Sequence, residues 1–167
     1  MIRLAIITIS DKAARGERDD AGGPAIRESL ASLGVDVTEV EYRIVADDEH
    51  QISEALFNLT ERQDVDLVLT TGGTGLAPRD VTPQATLHAI DYEVPGIAEA
   101  MRSASLKVTP AGMLSRAVAG VRRGTLIINL PGNPKAVREN LGAIAAALPH
   151  AVGTLRGEVG EHTRPQG

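Results

Sequence analysis

Apolar residues fall along this chain in two rhythms. Residues 4–9, Leu-Ala-Ile-Ile-Thr-Ile, form a nearly continuous apolar run rich in β-branched side chains, which suits a strand covered on both faces. Gly22-Gly23-Pro24 then places proline at a first helical position, Ile26, Leu30 and Leu33 follow at helical spacing, and Gly34 supplies a stop, so a helix is expected over about residues 24–33. Val35, Val37, Val40, Tyr42 and Ile44 alternate with one slip of phase, the pattern of a second strand that carries a bulge or pairs over only part of its length. Ile52, Leu56 and Leu59 mark a second helix face. Leu67-Val68-Leu69 is a third short buried strand that runs straight into Thr70-Thr71-Gly72-Gly73-Thr74-Gly75.

The middle of the chain reads as helical. Thr82-Pro83 gives an N-cap followed by proline for a helix through Leu87, and Val94-Pro95-Gly96 opens another that carries Ile97 and Met101. Val118 and Val121, the Arg123-Gly124 pair and residues 125–130 read as a strand, a tight turn and a central strand, which makes one strand antiparallel at the edge. Asn133-Pro134 caps a last long helix with Val137, Leu141, Ile144 and Leu148 on one face, and Pro149 can start a short terminal one. Alternating strands and helices imply a three-layer α/β/α domain with a mostly parallel sheet, since each buried strand needs cover on both faces. With the first strand between the second and third, right-handed crossovers put the first two helices on opposite faces and create a switch point, where ligands of open α/β sheets bind beyond the carboxyl ends of the strands. The domain is expected over residues 1–156, with a flexible tail at 157–167.

Composition narrows the function. The chain has 167 residues, enough for one domain, and 17 basic against 22 acidic side chains leave a net charge of −5. With no positive field, and Phe57, Tyr42 and Tyr92 as the whole aromatic set, neither polyanion binding nor a base-stacking platform is supported, and no nucleic-acid partner is expected. The absence of cysteine removes disulfides, zinc-thiolate sites, iron–sulfur clusters and thiol nucleophiles, and fits a cytoplasmic address. The first apolar run is too short for a signal-peptide core, and residues 140–155, which lack Asp, Glu, Lys and Arg and are interrupted by Pro149, fall short of the ~18 that a membrane span requires. The four histidines show no metal spacing, and no GxSxG elbow occurs.

The strand-end loops hold the candidate chemistry. Gly72, Gly73 and Gly75, with Thr74 between them, let backbone N–H groups turn toward an anion without Cβ obstruction, and phosphate is the natural guest. The loop is neither a Walker A sequence nor GxGxxG, and a glycine turn serving only geometry gives the same pattern. Asp47, with Asp48 and Glu49, ends the second strand, and Asp80 ends the glycine loop, so both carboxylates are expected at one rim. Two hard oxygen ligands beside a phosphate loop suggest Mg²⁺, which takes one or two protein carboxylates plus phosphate oxygens and water. Plainer readings stay open: residues 47–49 serving a helix dipole, and Asp80 paired with Arg79. Ser10-Asp11-Lys12 and Pro131-Gly132-Asn133-Pro134-Lys135 occupy two further rim loops, and Lys12, Lys107 and Lys135 are the only lysines against 14 arginines. Ser115-Arg116 is a further candidate anion contact, or a solvated edge charge.

Taken together, Ile9-Ser10-Asp11, the run from Thr70 to Gly75 continuing to Arg79-Asp80-Val81-Thr82-Pro83, Val94-Pro95-Gly96 with Glu99 to Arg102, Leu114-Ser115-Arg116 and the run from Asn129 to Lys135 resemble a known family. It is the MogA/MoaB-type molybdopterin adenylyltransferases of molybdenum-cofactor biosynthesis, related to the G domain of the plant molybdenum-insertion protein and to the gephyrin N-terminal domain. The resemblance runs from about residue 3 to residue 156. It implies a cytosolic homotrimer that transfers AMP from Mg-ATP to the terminal phosphate of molybdopterin and releases pyrophosphate, with the molybdenum-inserting protein of the pathway as a partner. It implies further that Asp47 and Asp80 match the family's essential aspartates and organise Mg²⁺, while Gly72 to Gly75 donate to phosphate and Lys135 or Ser115-Arg116 help to bind the anion. The family commonly has proline before the first aspartate; here Ala46 stands there, and Asp47 is preferred over the adjacent Asp48. Two other readings are a non-catalytic molybdopterin-binding scaffold and a CinA-like nucleotide pyrophosphatase, the latter disfavoured by the expectation of a single domain.

Overall fold

Strand β1 (Ile2–Ile9) is buried along almost its whole length because both of its faces carry apolar side chains. The structure, a computed structural model, describes residues 1–158; of the expected tail at 157–167, residues 159–167 and with them His162 lie outside the described residues. Leu4 and Ile6 point to one core, Ala5, Ile7 and Ile9 to the other, as the two-residue period of a strand requires. Helix α1 (Asp11–Ala14) is a single turn that follows β1. Helix α2 (Gly22–Ser32) covers the first core with Ile26 and Leu30, and after β2 (Val37–Val45) helix α3 (Glu49–Glu61) covers the second with Ile52, Leu56 and Leu59. The two crossovers thus lie on opposite faces of the sheet, as their right-handedness dictates.

The six strands run in the order β2-β1-β3-β6-β5-β4, with β3 (Leu67–Thr71) and β6 (Thr125–Leu130) completing a parallel centre. The phase slip in β2 is a bulge: Leu4 pairs with Glu39 and Ala5 with Glu41, leaving Val40 unmatched. Strand β5 (Ala119–Arg122) runs antiparallel to β6 through a two-residue turn in which Arg123 and Gly124 have φ of 48° and 81°, a hairpin that needs left-handed backbone at both positions. Beyond β5 the two residues of β4 (Tyr92–Glu93), exposed and without a legible pattern, extend the sheet.

Helices α4 (Thr82–Ala89) and α5 (Pro95–Leu106) begin at prolines, as expected, but Thr82 is the first helical residue rather than the cap. Its hydroxyl donates instead to the Gly72 carbonyl at 2.9 Å. Helix α2 starts two residues before Pro24 because the Asp20 carboxylate accepts from the amides of Gly22 (2.9 Å) and Gly23 (3.0 Å). The expected last long helix is broken: α6 (Pro134–Ile144) gives way to a 3₁₀ turn (Ala145–Ala147) and α7 (Leu148–Leu155). Pro149 has no N–H to donate and clashes with the carbonyl four residues back, so Leu148 joins the first core from a separate helix.

Candidate active site

A cavity of about 490 Å³ opens at the carboxyl ends of the central strands, where the crossovers from β1 and β3 diverge. Its wall gathers Thr8 and Ile9 from β1 and Ser10 just after it, Asp47 two residues past β2, Thr71 at the end of β3 with Gly72, Gly73 and Asp80 from the segment that follows, and Gly132 to Pro134 after β6. A shallower groove of about 540 Å³, lined by Glu49, His50, Ser53, Glu54, Phe57 and His88, contains none of the loop residues.

The glycines are there because the chain passes too close for side chains. Gly72 has φ of 104°, and a Cβ on it would lie 2.3 Å from the Ile9 carbonyl oxygen; on Gly73, φ 69°, a Cβ would meet the Thr82 hydroxyl at 2.3 Å and Asp47 Oδ1 at 3.2 Å. The Gly72 amide donates to the Leu130 carbonyl at 3.1 Å, so it ties β3 to β6 and is not free for an anion. The amides of Gly73, Thr74 and Gly75 have no acceptor among the described residues.

Asp47 and Asp11 clasp each other across the ends of β1 and β2. The Asp11 amide donates to Asp47 Oδ2 at 2.8 Å, and the Asp47 amide donates to Asp11 Oδ1 at 3.0 Å. Arg79 clamps Asp11 through two bonds of 2.9 and 2.8 Å, which holds the Asp11 carboxyl below the usual range. Arg79 therefore does not pair with Asp80. Asp48 caps α3, its carboxylate accepting from the Gln51 amide at 2.9 Å, so the helix-start role belongs to Asp48 and Glu49, and Asp47 is the acid that faces the cavity.

Burial pushes the Asp47 carboxyl up, the Asp11 amide opposes this, and the carboxylates of Asp11 and Asp80 push it further up. An ionised Asp47 beside other carboxylates is an environment that a divalent cation would relieve. Among the described residues no three His, Cys, Asp or Glu side chains are grouped to hold a metal. Asp47 and Asp80 both line the cavity, and each offers the hard carboxylate oxygen that Mg²⁺ takes beside water and phosphate.

Of the residues picked from the sequence, Ser10, Asp47, Gly72, Gly73, Asp80, Gly132 and Asn133 line the cavity; Asp11, Thr74, Gly75, Ser115, Arg116, Pro131 and Lys135 do not. Lys135 Nζ lies 3.8 Å from Glu139 on the exposed face of α6, and the Asn133 side chain caps that helix. Arg116 spends its guanidinium on the Gly75 and Asp80 carbonyls. Residues 18–22 were missed. Asp20 accepts from the Thr8 hydroxyl (2.9 Å) and from Tyr42, whose phenol is pushed up to about 12 by burial and this bond. The signal for Asp20 was available in an acid two residues before a glycine-proline helix start.

An open α/β sheet with a glycine-rich, acid-lined crevice at its switch point is the architecture of an α/β ligand-binding domain. Residues 5–150 match the family described as probable molybdopterin binding domain, and the chain belongs to that family. It is 43% identical over 156 residues to the molybdopterin adenylyltransferase of Helicobacter pylori, covering 93% of this chain and 89% of that protein. To the molybdopterin adenylyltransferase of Escherichia coli K12 it is 44% identical over 146 residues, 87% of this chain and 75% of the relative. The crystal structure of the molybdopterin biosynthesis enzyme MoaB from Thermus thermophilus superposes with a TM-score of 0.88 at 51% identity, covering 94% of this chain and 98% of the other.

Proposed function

We propose that this chain is a molybdopterin adenylyltransferase of molybdenum-cofactor biosynthesis, using ATP to adenylylate the terminal phosphate of molybdopterin. The observation that carries the reading is the meeting of Asp47, Asp80 and the glycine loop at one cavity, in a chain 43% identical to a molybdopterin adenylyltransferase. A phosphate oxygen of molybdopterin attacks the α-phosphorus of ATP, the bond from that phosphorus to the bridging oxygen breaks, and pyrophosphate leaves with the electron pair. Such a transfer needs positioning and charge neutralisation and no covalent protein nucleophile. The Gly73 amide, without an acceptor among the described residues and at the cavity wall, is suited to hold a phosphate oxygen, and the Asp11–Arg79 clamp holds Asp47 in place. Asp47 and Asp80 would hold Mg²⁺, which when bound supplies charge neutralisation on the triphosphate.

The resemblance also supports a cytoplasmic homotrimer that passes its product to a molybdenum-inserting protein. Leu106, Val108, Met113 and Leu114 are each about half exposed (46%, 52%, 61% and 49%) along the end of α5, the link after it and the neighbouring 3₁₀ turn (Pro110–Leu114), which suits a subunit contact. Light scattering giving the mass of a monomer would remove the trimer. Among the described residues no helix is long and apolar enough to cross a membrane.

Incubation with molybdopterin and Mg-ATP, followed by mass spectrometry of the small molecules, tests the reaction. The expected product is molybdopterin heavier by one AMP residue, with one pyrophosphate released. Tight molybdopterin binding without pyrophosphate release would replace the enzyme by a scaffold.

A further inference from the structure

Asp80 sits at the end of a turn without regular structure, which the Arg79 clamp on Asp11 holds from one side. Between Gly75 and Asp80 the backbone is neither helix nor strand, and Leu76 is 64% exposed. Inside the turn there are two bonds, from the Asp80 amide to the Ala77 carbonyl (2.9 Å) and from the Ala77 amide to Asp80 Oδ2 (3.0 Å). A Cβ on Gly75 would lie 2.9 Å from Asp80 Oδ2, so the carboxylate lies over that glycine. Oδ1 receives no hydrogen bond from the described residues.

The two ends of the turn are joined by one side chain from a distant segment. Arg116 Nε donates to the Gly75 carbonyl at 2.9 Å and Nη2 to the Asp80 carbonyl at 2.6 Å, while its backbone amide donates to the Thr74 carbonyl at 2.9 Å. Nη1 reaches Gln84 Oε1 at 3.2 Å. The planar fork of a guanidinium bridges two fixed carbonyls in a way that the single flexible ammonium of lysine does not. Behind it, Arg102 on α5 donates from Nη1 to the carbonyls of Ser115 (3.2 Å) and Ala117 (3.0 Å), one on each side of Arg116.

We infer that Arg116, braced by Arg102, is a positioning residue that sets the Asp80 carboxylate against the cavity, rather than a cation that touches phosphate. The inference rests on the adenylyltransferase reading for its catalytic consequence. It also accounts for two sequence motifs that the cavity does not use, Leu114-Ser115-Arg116 and the segment from Glu99 to Arg102. Displacing an acting group by about 1 Å can cost about 10²-fold in rate, whereas loss of a direct phosphate contact shows first in substrate affinity.

The test compares Arg116→Lys, Arg116→Met, Arg102→Met and Gln84→Ala in the full chain. Pyrophosphate release is measured with molybdopterin and Mg-ATP, and amide hydrogen exchange across residues 75–80 is measured without nucleotide. Arg116→Lys should be as impaired as Arg116→Met, with kcat reduced about 30- to 100-fold and KM for ATP within about 3-fold of wild type. Exchange at Ala77 and Asp80 should speed up about tenfold or more in both. Arg102→Met, which leaves the fork in place, should give a smaller loss of kcat in the same direction, and Gln84→Ala almost none.

Wild-type kcat in Arg116→Lys, a KM rise with kcat retained, or unaltered exchange in Arg116→Met would each overturn the inference. If the substitutions at 116 unfold the chain, as circular dichroism would reveal, wild-type exchange and kcat in Arg102→Met overturn the brace. If the wild-type protein itself releases no pyrophosphate, the reaction is wrong, and the exchange measurement alone decides whether Arg116 holds the turn.

Discussion

Asp47 is the residue with the most to gain from a bound cation. Burial and the nearby carboxylates of Asp11 and Asp80 raise its pKa, so its ionised form is a cost to the unliganded fold, and stability is recovered as pH falls through that raised value. Asp47→Asn keeps an oxygen to accept from the Asp11 amide. It should therefore leave thermal stability unchanged or raise it by up to about 1 kcal/mol while abolishing adenylyl transfer. Calorimetry beside a pyrophosphate assay checks both halves, and a strongly destabilised variant would contradict the electrostatics. Both acids were legible in the sequence because each closes a strand-end loop. The bond from Thr8 to Asp20 at 2.9 Å was not, because it depends on where β1 ends relative to the start of α2. Lys135 looked well placed for an anion, yet the start of α6 turns its side chain toward Glu139.

At the scale of elements, the strands of the parallel centre were readable because residues buried on both faces leave long apolar runs, and the bulge in β2 showed as a slip of alternation. The single turn of α1 and the two residues of β4 left no period to read, since neither is long enough to build a buried face. The break between α6 and α7 was signalled by Pro149, but the helical spacing of Leu148 with Ile144 concealed it. Two glycine substitutions separate a site that demands glycine from one that tolerates a side chain. Gly72→Ala places a methyl against the Ile9 carbonyl at a φ of 104° and should cost about 3 kcal/mol or more. Gly142→Ala, on the exposed face of α6 with nothing within 4 Å, should stabilise by about 0.5–1 kcal/mol. Urea denaturation of the pair measures the contrast, and equal effects would mean that the glycine loop is not under the close approach described.

Across the whole molecule, the end of the sheet opposite the cavity is closed by Asp66. Its side chain is 5% exposed and accepts from the Arg3 amide (2.7 Å), from the Arg3 guanidinium and from Arg156, so the first strand and the last helix meet on one carboxylate. Burial raises its pKa, but the bonds from Arg3 and Arg156 outweigh that and hold it well below the usual range. A depressed folded pKa gives stability that is fully present above the unfolded value of about 4 and is lost as pH falls through the folded one. Asp66→Asn should thus cost about 2–3 kcal/mol at neutral pH, with the gap to wild type closing below about pH 4. A gap that persists undiminished into acid would contradict this. The order β2-β1-β3, taken from the sequence only as the condition for a switch point, is the one found, whereas the placement of β6 beside β3 was not read, and that placement brings Gly132 and Asn133 to the cavity. The proposed reaction needs Asp47 and Asp80, which line one cavity, to hold one divalent ion between them. The most direct measurement is Mn²⁺ binding, followed by electron paramagnetic resonance in the presence of a non-hydrolysable ATP analogue, for the wild type, Asp47→Asn, Asp80→Asn and the double variant. One ion in the wild type, lost about equally in either single variant and no further weakened in the double, is the expected result; single variants that each keep wild-type affinity would contradict it.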